Sequence, residues 1–278
     1  MNTWTGNDEL EATEISLLLE GIYRHYGFDF REYAYTSLRR RIRQMMTIEN
    51  IHSVSALQDK VLHDGDCMRR FLLAIAVNVT SMFRDPAFYV AVREKVVPYL
   101  RTYPTIDIWH AGCSTGEEVY SMAILLQEEG LLDRCRLYAT DMNETVLASA
   151  KSGIFPLSVM REYTQNYQRA GGRKSFSSYY ITDQANAIFD HSLKKNMVFG
   201  QHNLAMDANF KEFSLIMCRN VMIYFQRSLQ MRVFELLHES LSVFGILALG
   251  NRESLTLSPH ASSYEDLVGE MRLFRRVA

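Results

Sequence analysis

The stretch TIDIWHAGCSTGEEVYSMA, at residues 105–123, decides the fold of this chain. It begins with a short β-branched segment, Thr105–Trp109, which predicts a strand. A loop of Gly, Ser and Thr follows at 112–116, and the apolar periodicity after it predicts a helix over Glu117–Glu129. A strand that passes through a loop of small residues into a helix is the beginning of a βαβ unit.

The same alternation continues toward the carboxyl terminus. The pattern predicts strands over Cys135–Thr140, Phe213–Cys218 and Ile246–Leu249, and helices over Phe88–Leu100 (with Pro86 near its start), Glu144–Lys151 and Ser228–Val243. Strands that alternate with helices of about 10–15 residues indicate an open α/β domain with a mostly parallel sheet. Residues 160–200 break this rhythm and predict a small antiparallel β insert, because they contain Gly171-Gly172 and short apolar runs such as MVFG at 197–200.

Residues up to about 77 have a helical pattern instead. Their apolar spacing predicts four helices, of which the last two are Ser53–His63 and Cys67–Val77. An acidic run at 8–20 precedes an arginine-rich run at 37–48, and the two nearly cancel in the total charge. We therefore expect a helical domain over 1–77 and an α/β domain over 78–278.

The composition excludes several classes of protein. The 278 residues are 47% apolar and 22% charged with a net charge of −2, which excludes a disordered chain and argues against a dedicated nucleic-acid binder. The longest apolar run, Phe71–Val77, falls short of the roughly 18 residues that a membrane span needs. No export signal is recognisable, and the four cysteines form no C-x-x-C pair. These features predict a cytoplasmic protein with reduced thiols.

The ends of the predicted strands are the expected ligand site, because open α/β sheets bind ligands there. They comprise Ala111–Glu118, Asp141–Met142 and Arg219-Asn220. A phosphate loop would have Lys after Gly116, and a dinucleotide fingerprint would read G-x-G-x-x-G; the sequence has neither. Glu117 and Glu118 would repel a pyrophosphate and favour a ligand with a positive charge. Helix capping remains the alternative for a Glu in the first turn.

Asp141 ends the second predicted strand. A carboxylate there can accept hydrogen bonds from both hydroxyls of a ribose, although an N-cap of the next helix is the alternative. A nucleoside that carries a cation instead of a phosphate satisfies both strand ends. S-adenosylmethionine is such a molecule, with its ribose at Asp141 and its ammonium group at Glu117.

Four stretches, in order along the chain, resemble the CheR family of chemotaxis methyltransferases. They are NVTSMFRDPAFY (78–89), WHAGCSTGEEVYSMA (109–123), YATDMNETVLASAKSGIF (138–155) and CRNVMIYF (218–225). The family uses S-adenosylmethionine to esterify glutamate side chains of chemoreceptors. The resemblance covers nearly the whole chain. It implies a class I S-adenosylmethionine-dependent methyltransferase domain, with S-adenosylhomocysteine as the product, behind an N-terminal helical domain.

The resemblance also implies roles for individual residues. Cofactor contacts are implied at Asn78, Thr80, Arg84, Glu117, Asp141, Asn203, Leu204, Arg219 and Asn220. Arg84 and Tyr224 match the two family positions beside the transferred methyl group, with Arg84 as positioner and anchor and Tyr224 as a donor that orients the substrate. The alternatives are a surface charge paired with Asp85 for Arg84, and a core aromatic for Tyr224.

The helical domain resembles the family's receptor-binding domain. Its basic helix carries Arg39, Arg40, Arg41 and Arg43, which would steer the acidic helices of a chemoreceptor cytoplasmic domain. The alternative is a solvated helix face with no partner. Residues 160–200 resemble the family's small β-subdomain, which in some members docks a peptide at the receptor tail.

The chain also departs from the family pattern. Met82 replaces a common aromatic, GNRESL at 250–255 replaces a GHSE-like ending, and AGGRKS at 170–175 is the nearest match to a G-x-G run. The altered ending motivates an alternative function, a non-catalytic CheR-like scaffold that senses the cofactor or tethers a signalling partner. A nucleic-acid methyltransferase is disfavoured, because the third strand ends in CRNV and not in N/D-P-P-Y/F. The scattered histidines predict no metal site, and we expect a monomer without membrane insertion.

Overall fold

The computed structural model describes residues 6–76 and 80–278. The chain divides into two compact units. The first runs to Val77 and also includes Tyr224–Leu229, and the second consists of Asn78–Ile223 and Gln230–Ala278. A segment from far downstream therefore belongs to the N-terminal unit, which no pattern in the sequence predicts.

The described part of the first unit contains four helices. They are α1 (Gly6–Tyr26), α2 (Tyr35–Ile48), α3 (Val54–His63) and α4 (Gly65–Ile75). Side chains set two of the starts: the Ser53 hydroxyl accepts from Ala56 N at 3.2 Å, and the Asp64 carboxylate accepts from Asp66 N at 2.8 Å. The apolar face of each helix is buried in a common core, for example at Leu18, Ile42, Leu57 and Phe71.

The downstream segment joins this unit through antiparallel backbone contacts. Tyr33 and Phe225 form an antiparallel bridge. Ala34 N donates to Tyr224 O at 2.8 Å, and Gln226 N donates to Glu32 O at 2.8 Å.

The second unit carries ten strands among its described residues. They are β1 (Ile106–Ala111), β2 (Cys135–Asp141), β3 (Ile154–Pro156), β4 (Tyr180–Thr182), β5 (Asn186–Phe189), β6 (Met197–Gln201), β7 (Phe213–Cys218), β8 (Leu241–Leu249), β9 (Tyr264–Val268) and β10 (Leu273–Arg276). Seven of them form one sheet in the order β6-β2-β1-β7-β8-β10-β9. The first five of these run parallel; β10 is antiparallel to β8, and β9 is antiparallel to β10. The prediction of a mostly parallel sheet is confirmed.

Helices cover this sheet, as its continuously apolar central strands require. They are α5 (Pro86–Ala91), α6 (Val97–Leu100), α7 (Glu117–Glu128), α8 (Glu144–Ser152), α9 (Met160–Arg169), α10 (His191–Lys194) and α11 (Arg227–Ser240). A π-helical turn, Val92–Val96, connects α5 to α6. None of the helices in the described ranges combines the length and the apolar character needed to cross a membrane.

The antiparallel insert exists, but its predicted boundaries are wrong. Its sheet has the order β3-β5-β4 and begins at Ile154, before the predicted start at 160. Met197–Gln201, which contains the MVFG run, does not belong to it, because β6 pairs in parallel with β2. The Glu128 carboxylate at the end of α7 ties the insert to the domain, since it accepts hydrogen bonds from the hydroxyls of Tyr167 and Tyr179.

The C-terminal elements also differ from the prediction. The helix predicted to reach Val243 ends at Ser240, and the strand predicted to begin at Ile246 begins at Leu241. The sequence pattern missed β9 and β10 altogether. Pairing decides these boundaries, because Leu241 already lies opposite Phe213 of β7.

Candidate functional site

The loop after β1 brings the backbone close to its neighbours. Gly112 and Gly116 have φ angles of 75° and 94°, in the region that favours glycine. A Cβ on Gly112 would lie 2.7 Å from the Val221 side chain, and one on Gly116 would lie 2.9 Å from Cβ of Ala150. Only glycine fits at either position, and the loop leads directly into the N-terminus of α7.

Glu117 opens α7 with a buried carboxylate. The residue is 6% exposed; its Oε2 accepts from the Thr115 hydroxyl at 2.6 Å, and its Oε1 accepts from the Tyr163 hydroxyl at 3.2 Å. Burial raises the pKa of Glu117, and the two hydroxyls together with its own backbone N–H oppose that rise. No Lys, Arg or His among the described residues forms an ion pair with it. The site thus holds a buried carboxylate that a cationic ligand would satisfy.

Asp141 lies at the carboxyl end of β2 and joins two loops. Its Oδ2 accepts from Ser114 N and its Oδ1 accepts from Asn143 N, both at 3.0 Å. Burial raises the pKa of Asp141, and the backbone N–H donors oppose the rise. The cap of α8 is Asn143, whose side chain accepts from Thr145 N at 2.9 Å, so the capping alternative for Asp141 is wrong.

Glu118, next to Glu117, belongs to a separate ionic network. It accepts from His110 Nδ1 at 3.0 Å and from Arg219 at 3.1 Å, and Arg219 also donates to Asp85 at 2.9 Å. Burial opposes ionisation of Glu118, but His110 and Arg219 outweigh it and lower its pKa. The Arg219 guanidinium further stacks over the Phe88 ring at 3.8 Å. This network locks the ends of β1 and β7 to the start of α5.

Arg84 is held between two residues with left-handed backbone. Phe83 and Asp85 have φ angles of 50° and 58°, which cost energy for residues other than glycine. Phe83 N donates to the Ser121 hydroxyl at 2.8 Å, and the Phe83 ring is fully buried. Asp85 is fixed by Arg219. Arg84 itself is half-buried, so a rigid loop presents its side chain.

Glu253 organises the loop after β7. Its two carboxylate oxygens accept hydrogen bonds from four backbone N–H groups, those of Asn220 (3.0 Å), Val221 (2.8 Å), Met222 (2.8 Å) and Gly250 (2.6 Å). Burial raises the pKa of Glu253, and the four donors oppose the rise. Asn220 has a φ of 61°. The loop therefore depends on a residue of the unusual GNRESL segment.

These strand ends fit S-adenosylmethionine. A phosphate would meet the carboxylates of Glu117 and Asp141, whereas an ammonium group suits the first and a ribose suits the second. No cluster of His, Cys, Asp or Glu in residues 6–76 and 80–278 is arranged to hold a metal ion.

Residues 78–267 match the family described as CheR methyltransferase, SAM binding domain, and residues 13–76 match its all-alpha domain. The chain belongs to the CheR methyltransferase family. A protein of Pseudomonas putida KT2440 named Cher3 is 50% identical over 263 residues, which cover 95% of this chain and 96% of that protein. The chemotaxis protein methyltransferase of Listeria monocytogenes is 27% identical, covering 84% of this chain and 87% of that one. Chemotaxis protein methyltransferase 2 of Pseudomonas aeruginosa is 28% identical, covering 95% and 94%.

Membership of the CheR family confirms the predicted fold class and the cofactor, S-adenosylmethionine. The methyltransferase domain binds it, and the helical domain is the family's all-alpha domain. The roles of individual residues rest on the geometry described above.

The other residues implied as cofactor contacts differ in burial and in hydrogen-bond partners. The side-chain oxygen of Asn203 accepts from Ala205 N at 3.0 Å, and Leu204 is buried at 8% exposure. Arg219 is buried with both terminal nitrogens bonded to carboxylates, so its side chain has a structural partner on each side. Thr80 is half-buried in the segment before α5, and Asn78 lies outside the described residues.

Tyr224, the second residue implied beside the methyl group, is half-buried and belongs to the first unit. The Arg41 guanidinium carbon lies 5.3 Å from the centre of its ring. Arg41 also donates to the carbonyls of Ala74 and Ile75 at 3.2 and 3.0 Å, at the end of α4. The packing of Arg41 thus connects Tyr224 to the helix that precedes the second unit in sequence.

The arginine-rich helix is largely neutralised by the acidic helix before it. Arg39 pairs with Asp8 and with Glu11, and Arg43 pairs with Glu11 at 2.6 Å. The two opposite runs in the sequence therefore meet inside the helical unit through Arg39 and Arg43. Arg40 is the exposed arginine of α2 that has no carboxylate partner among the described residues.

Sequence reasoning missed three residues that shape the site. Tyr163 comes from the insert, Glu253 from the segment judged atypical, and His110 from the interior of β1. No local pattern marks Tyr163 or His110. The Glu of GNRESL did carry a signal: it lies four residues after the end of the buried strand β8, where a charged side chain needs a partner.

Proposed function

We propose that this chain is an S-adenosylmethionine-dependent protein-glutamate O-methyltransferase that acts on the cytoplasmic helices of chemoreceptors. The observation that supports it most is the buried Glu117 carboxylate, at the same sheet edge as Asp141. It has two hydroxyl partners and, among the described residues, no cationic one. The relatives named chemotaxis protein methyltransferases support the substrate class. Such a substrate would place the protein in the cytoplasm.

A glutamate substrate explains why the site needs no general base. A glutamate side chain is ionised at neutral pH, so its oxygen can attack a methyl group directly. The cofactor supplies that methyl group on a positively charged sulfur. One carbon–oxygen bond forms as the sulfur–carbon bond breaks, and no proton moves. The one histidine–carboxylate pair at this edge, His110 with Glu118, is fully buried on the histidine side and engaged with Arg219.

The protein then contributes positioning and exclusion of water. Asp141 binds the ribose hydroxyls, and Glu117 binds the ammonium group. Arg84, on its strained loop, anchors the cofactor and guides the substrate carboxylate. Tyr224 donates a hydrogen bond that orients the substrate. A cation bound tightly to that carboxylate would oppose the attack, because charge is neutralised as the ester forms.

The direct test is a methyl-transfer assay. Purified protein is incubated with cofactor labelled on the methyl group and with the cytoplasmic domain of a receptor from the same cell. We expect label in the receptor that is released as methanol by mild base, as a carboxyl methyl ester is. Base-stable label on lysine, or label on added RNA or DNA, would show that the substrate class is wrong.

Receptor docking is assigned to the helical unit, with Arg40 as its unpaired basic charge. We expect Arg40→Ala to raise the KM for receptor about threefold to tenfold, without a change in cofactor affinity, since exposed charges act mainly on encounter. Arg70→Ala is the matched control, because Arg70 is already paired with Glu49. An equal effect of both substitutions would argue against docking by the α2 face.

The non-catalytic scaffold is the second candidate function. Its motivation was the GNRESL segment, but Glu253 of that segment supports the loop that carries Asn220. The altered segment thus has a structural task in the site. Calorimetry and the transfer assay separate the two functions: tight cofactor binding with no transfer to any receptor of the same cell would favour the scaffold.

A further inference from the structure

The β insert contacts the Glu117 carboxylate through the side chain of Tyr163. Tyr163 lies on α9, which connects β3 to the rest of the insert, and it is 4% exposed. Its hydroxyl donates to Glu117 Oε1 at 3.2 Å, while Thr115 donates to the other oxygen at 2.6 Å. Each oxygen of this carboxylate therefore accepts from one hydroxyl of another residue.

Two donors on separate elements fix the plane of a carboxylate. Thr115 belongs to the loop before α7, so alone it would hold one oxygen of Glu117 and let the other rotate. Tyr163 approaches from a different helix and holds that second oxygen. Hydrogen bonds to an ionised carboxylate also favour the charged form, which burial of Glu117 otherwise disfavours.

The same face of α9 contacts the Arg84 loop. Asn166, three residues after Tyr163, donates its side-chain N–H to Met82 O at 3.2 Å. The Tyr167 ring packs against the Phe83 ring with centres 5.3 Å apart. Positions 163, 166 and 167 share one side of the helix, so α9 supports both the carboxylate and the loop that presents Arg84.

We propose that Tyr163 is a positioning residue of the cofactor site: its hydroxyl orients the Glu117 carboxylate toward the ammonium group of the cofactor. The proposal rests on the proposed role of Glu117 as the partner of that ammonium group. Tyr163 itself touches neither the methyl group nor the substrate. A purely structural role is the competing explanation, since its ring also packs near Phe155 in the insert.

A pair of ligands separates these explanations. S-adenosylhomocysteine carries the ammonium group, and its deaminated analogue keeps the carboxylate and the nucleoside but lacks that group. We expect Tyr163→Phe to weaken binding of S-adenosylhomocysteine about tenfold in calorimetry, as expected for loss of a hydrogen bond to a charged group, and binding of the analogue less than about twofold.

The matched control is Tyr167→Phe. Tyr167 is on the same helix and is also buried, but its hydroxyl donates to Glu128 and not to Glu117. This control should leave the ratio of the two affinities unchanged. If Tyr163→Phe does not fold, Tyr163→Leu takes its place, since it also lacks the hydroxyl but has a smaller apolar side chain. That variant must then show the same selective loss of S-adenosylhomocysteine binding.

Three outcomes decide the proposal. Selective loss of S-adenosylhomocysteine binding supports it. Equal loss of both ligands, or loss of neither, overturns it and leaves Tyr163 with a structural role. Glu117→Gln is measured in parallel: if that variant does not lose S-adenosylhomocysteine selectively, the ammonium role of Glu117 has failed, which is a different result from failure of Tyr163 alone.

Discussion

The Asp141 carboxylate holds two loops in place and, under the proposed function, also binds the ribose of the cofactor. Its two oxygens hold Ser114 N and Asn143 N, which fixes the loops on either side of the sheet edge. A carboxylate has about four acceptor positions, and under the proposed function the ribose would use those that the backbone donors leave. Asn143, not Asp141, caps the next helix, which removes the alternative that the sequence left open.

We expect Asp141→Ala to weaken S-adenosylhomocysteine binding by about tenfold or more, because two charged hydrogen bonds and the anchor of the loop are lost. Isothermal titration calorimetry measures this directly. Asp107→Ala is the control, since Asp107 lies on β1 and pairs with Lys211 at 3.0 Å. Unchanged affinity of the Asp141 variant would remove the ribose role.

Glu253 makes a prediction about stability. Glu253→Ala would leave four backbone N–H groups without their acceptor, and we expect it to lower the free energy of unfolding by about 3 kcal/mol. Urea unfolding measures the difference. Glu270→Ala, at an exposed position of the same C-terminal region, should change stability by less than about 0.5 kcal/mol. Equal values for the two variants would contradict a clamp by Glu253.

At the scale of elements, ion pairs join α1 to α2, and other ion pairs join the end of α2 to α3 and to α4. Glu11 bonds Arg43 and Arg39, which lowers its pKa to about 2. Glu49 bonds Arg70 and Lys60, which also lowers its pKa to about 2. These pairs join different helices, so they stabilise the packing of the helical unit.

The lowered pKa values of Glu11 and Glu49 determine in which direction the stability of the folded protein changes with pH. The carboxylates are more acidic in the folded protein than the ordinary value of 4.5, so their stabilisation is complete above about pH 4.5 and is lost as the pH falls toward about 2. We expect the double variant Glu11→Gln, Glu49→Gln to be less stable than the parent protein at pH 7. In urea unfolding the gap should close between about pH 4.5 and pH 2.

The control for this titration is Glu9→Gln, an exposed residue of the same acidic run. Its stability should follow that of the parent protein at every pH. A gap for the double variant that stays constant down to pH 2 would mean that side-chain packing, and not charge, accounts for the loss.

Elements with a strong local pattern were predictable, and elements defined by their partners were not. The central strand Phe213–Cys218 was predicted to the residue, because buried parallel strands are apolar throughout. The short strand Met197–Gln201 was assigned to the wrong sheet, since a half-buried edge strand carries no mark of its neighbour. Likewise, the pairing of Glu11 with the arginines required knowledge of which helices touch. In the site, Glu117 and Asp141 were predictable because they follow the ends of predicted strands. Tyr163 was not predictable, because its place in the site depends on how α9 packs.

At the scale of the whole molecule, the helical unit is discontinuous in sequence. Phe225 is 7% exposed, and its ring lies 4.9 Å from that of Tyr33, centre to centre. Backbone hydrogen bonds on both sides of this contact complete the antiparallel pairing. The unit therefore depends on residues that follow most of the methyltransferase domain.

We expect Phe225→Ala to destabilise the helical unit by about 3 kcal/mol through loss of a buried ring. Hydrogen exchange should quicken in α1–α4 and change little in β1, β2 and β7. Phe210→Ala, in the second unit and at 46% exposure, serves as the control and should not quicken exchange in α1–α4. Equal acceleration in the sheet and in the helices would show that the segment does not belong to the helical unit alone.

Because the helical unit includes Tyr224–Leu229, its folding during translation must wait until this segment has been synthesised. At about 5–20 residues per second, the nearly 150 residues between Val77 and Tyr224 take roughly 7–30 seconds to synthesise. During that interval the nascent helical bundle lacks the ring that packs on Tyr33 and the backbone partner of Ala34. The helical unit is consequently unable to reach its final packing until Phe225 has been synthesised, so its apolar surface stays partly open while β1, β2, β6 and β7 are made.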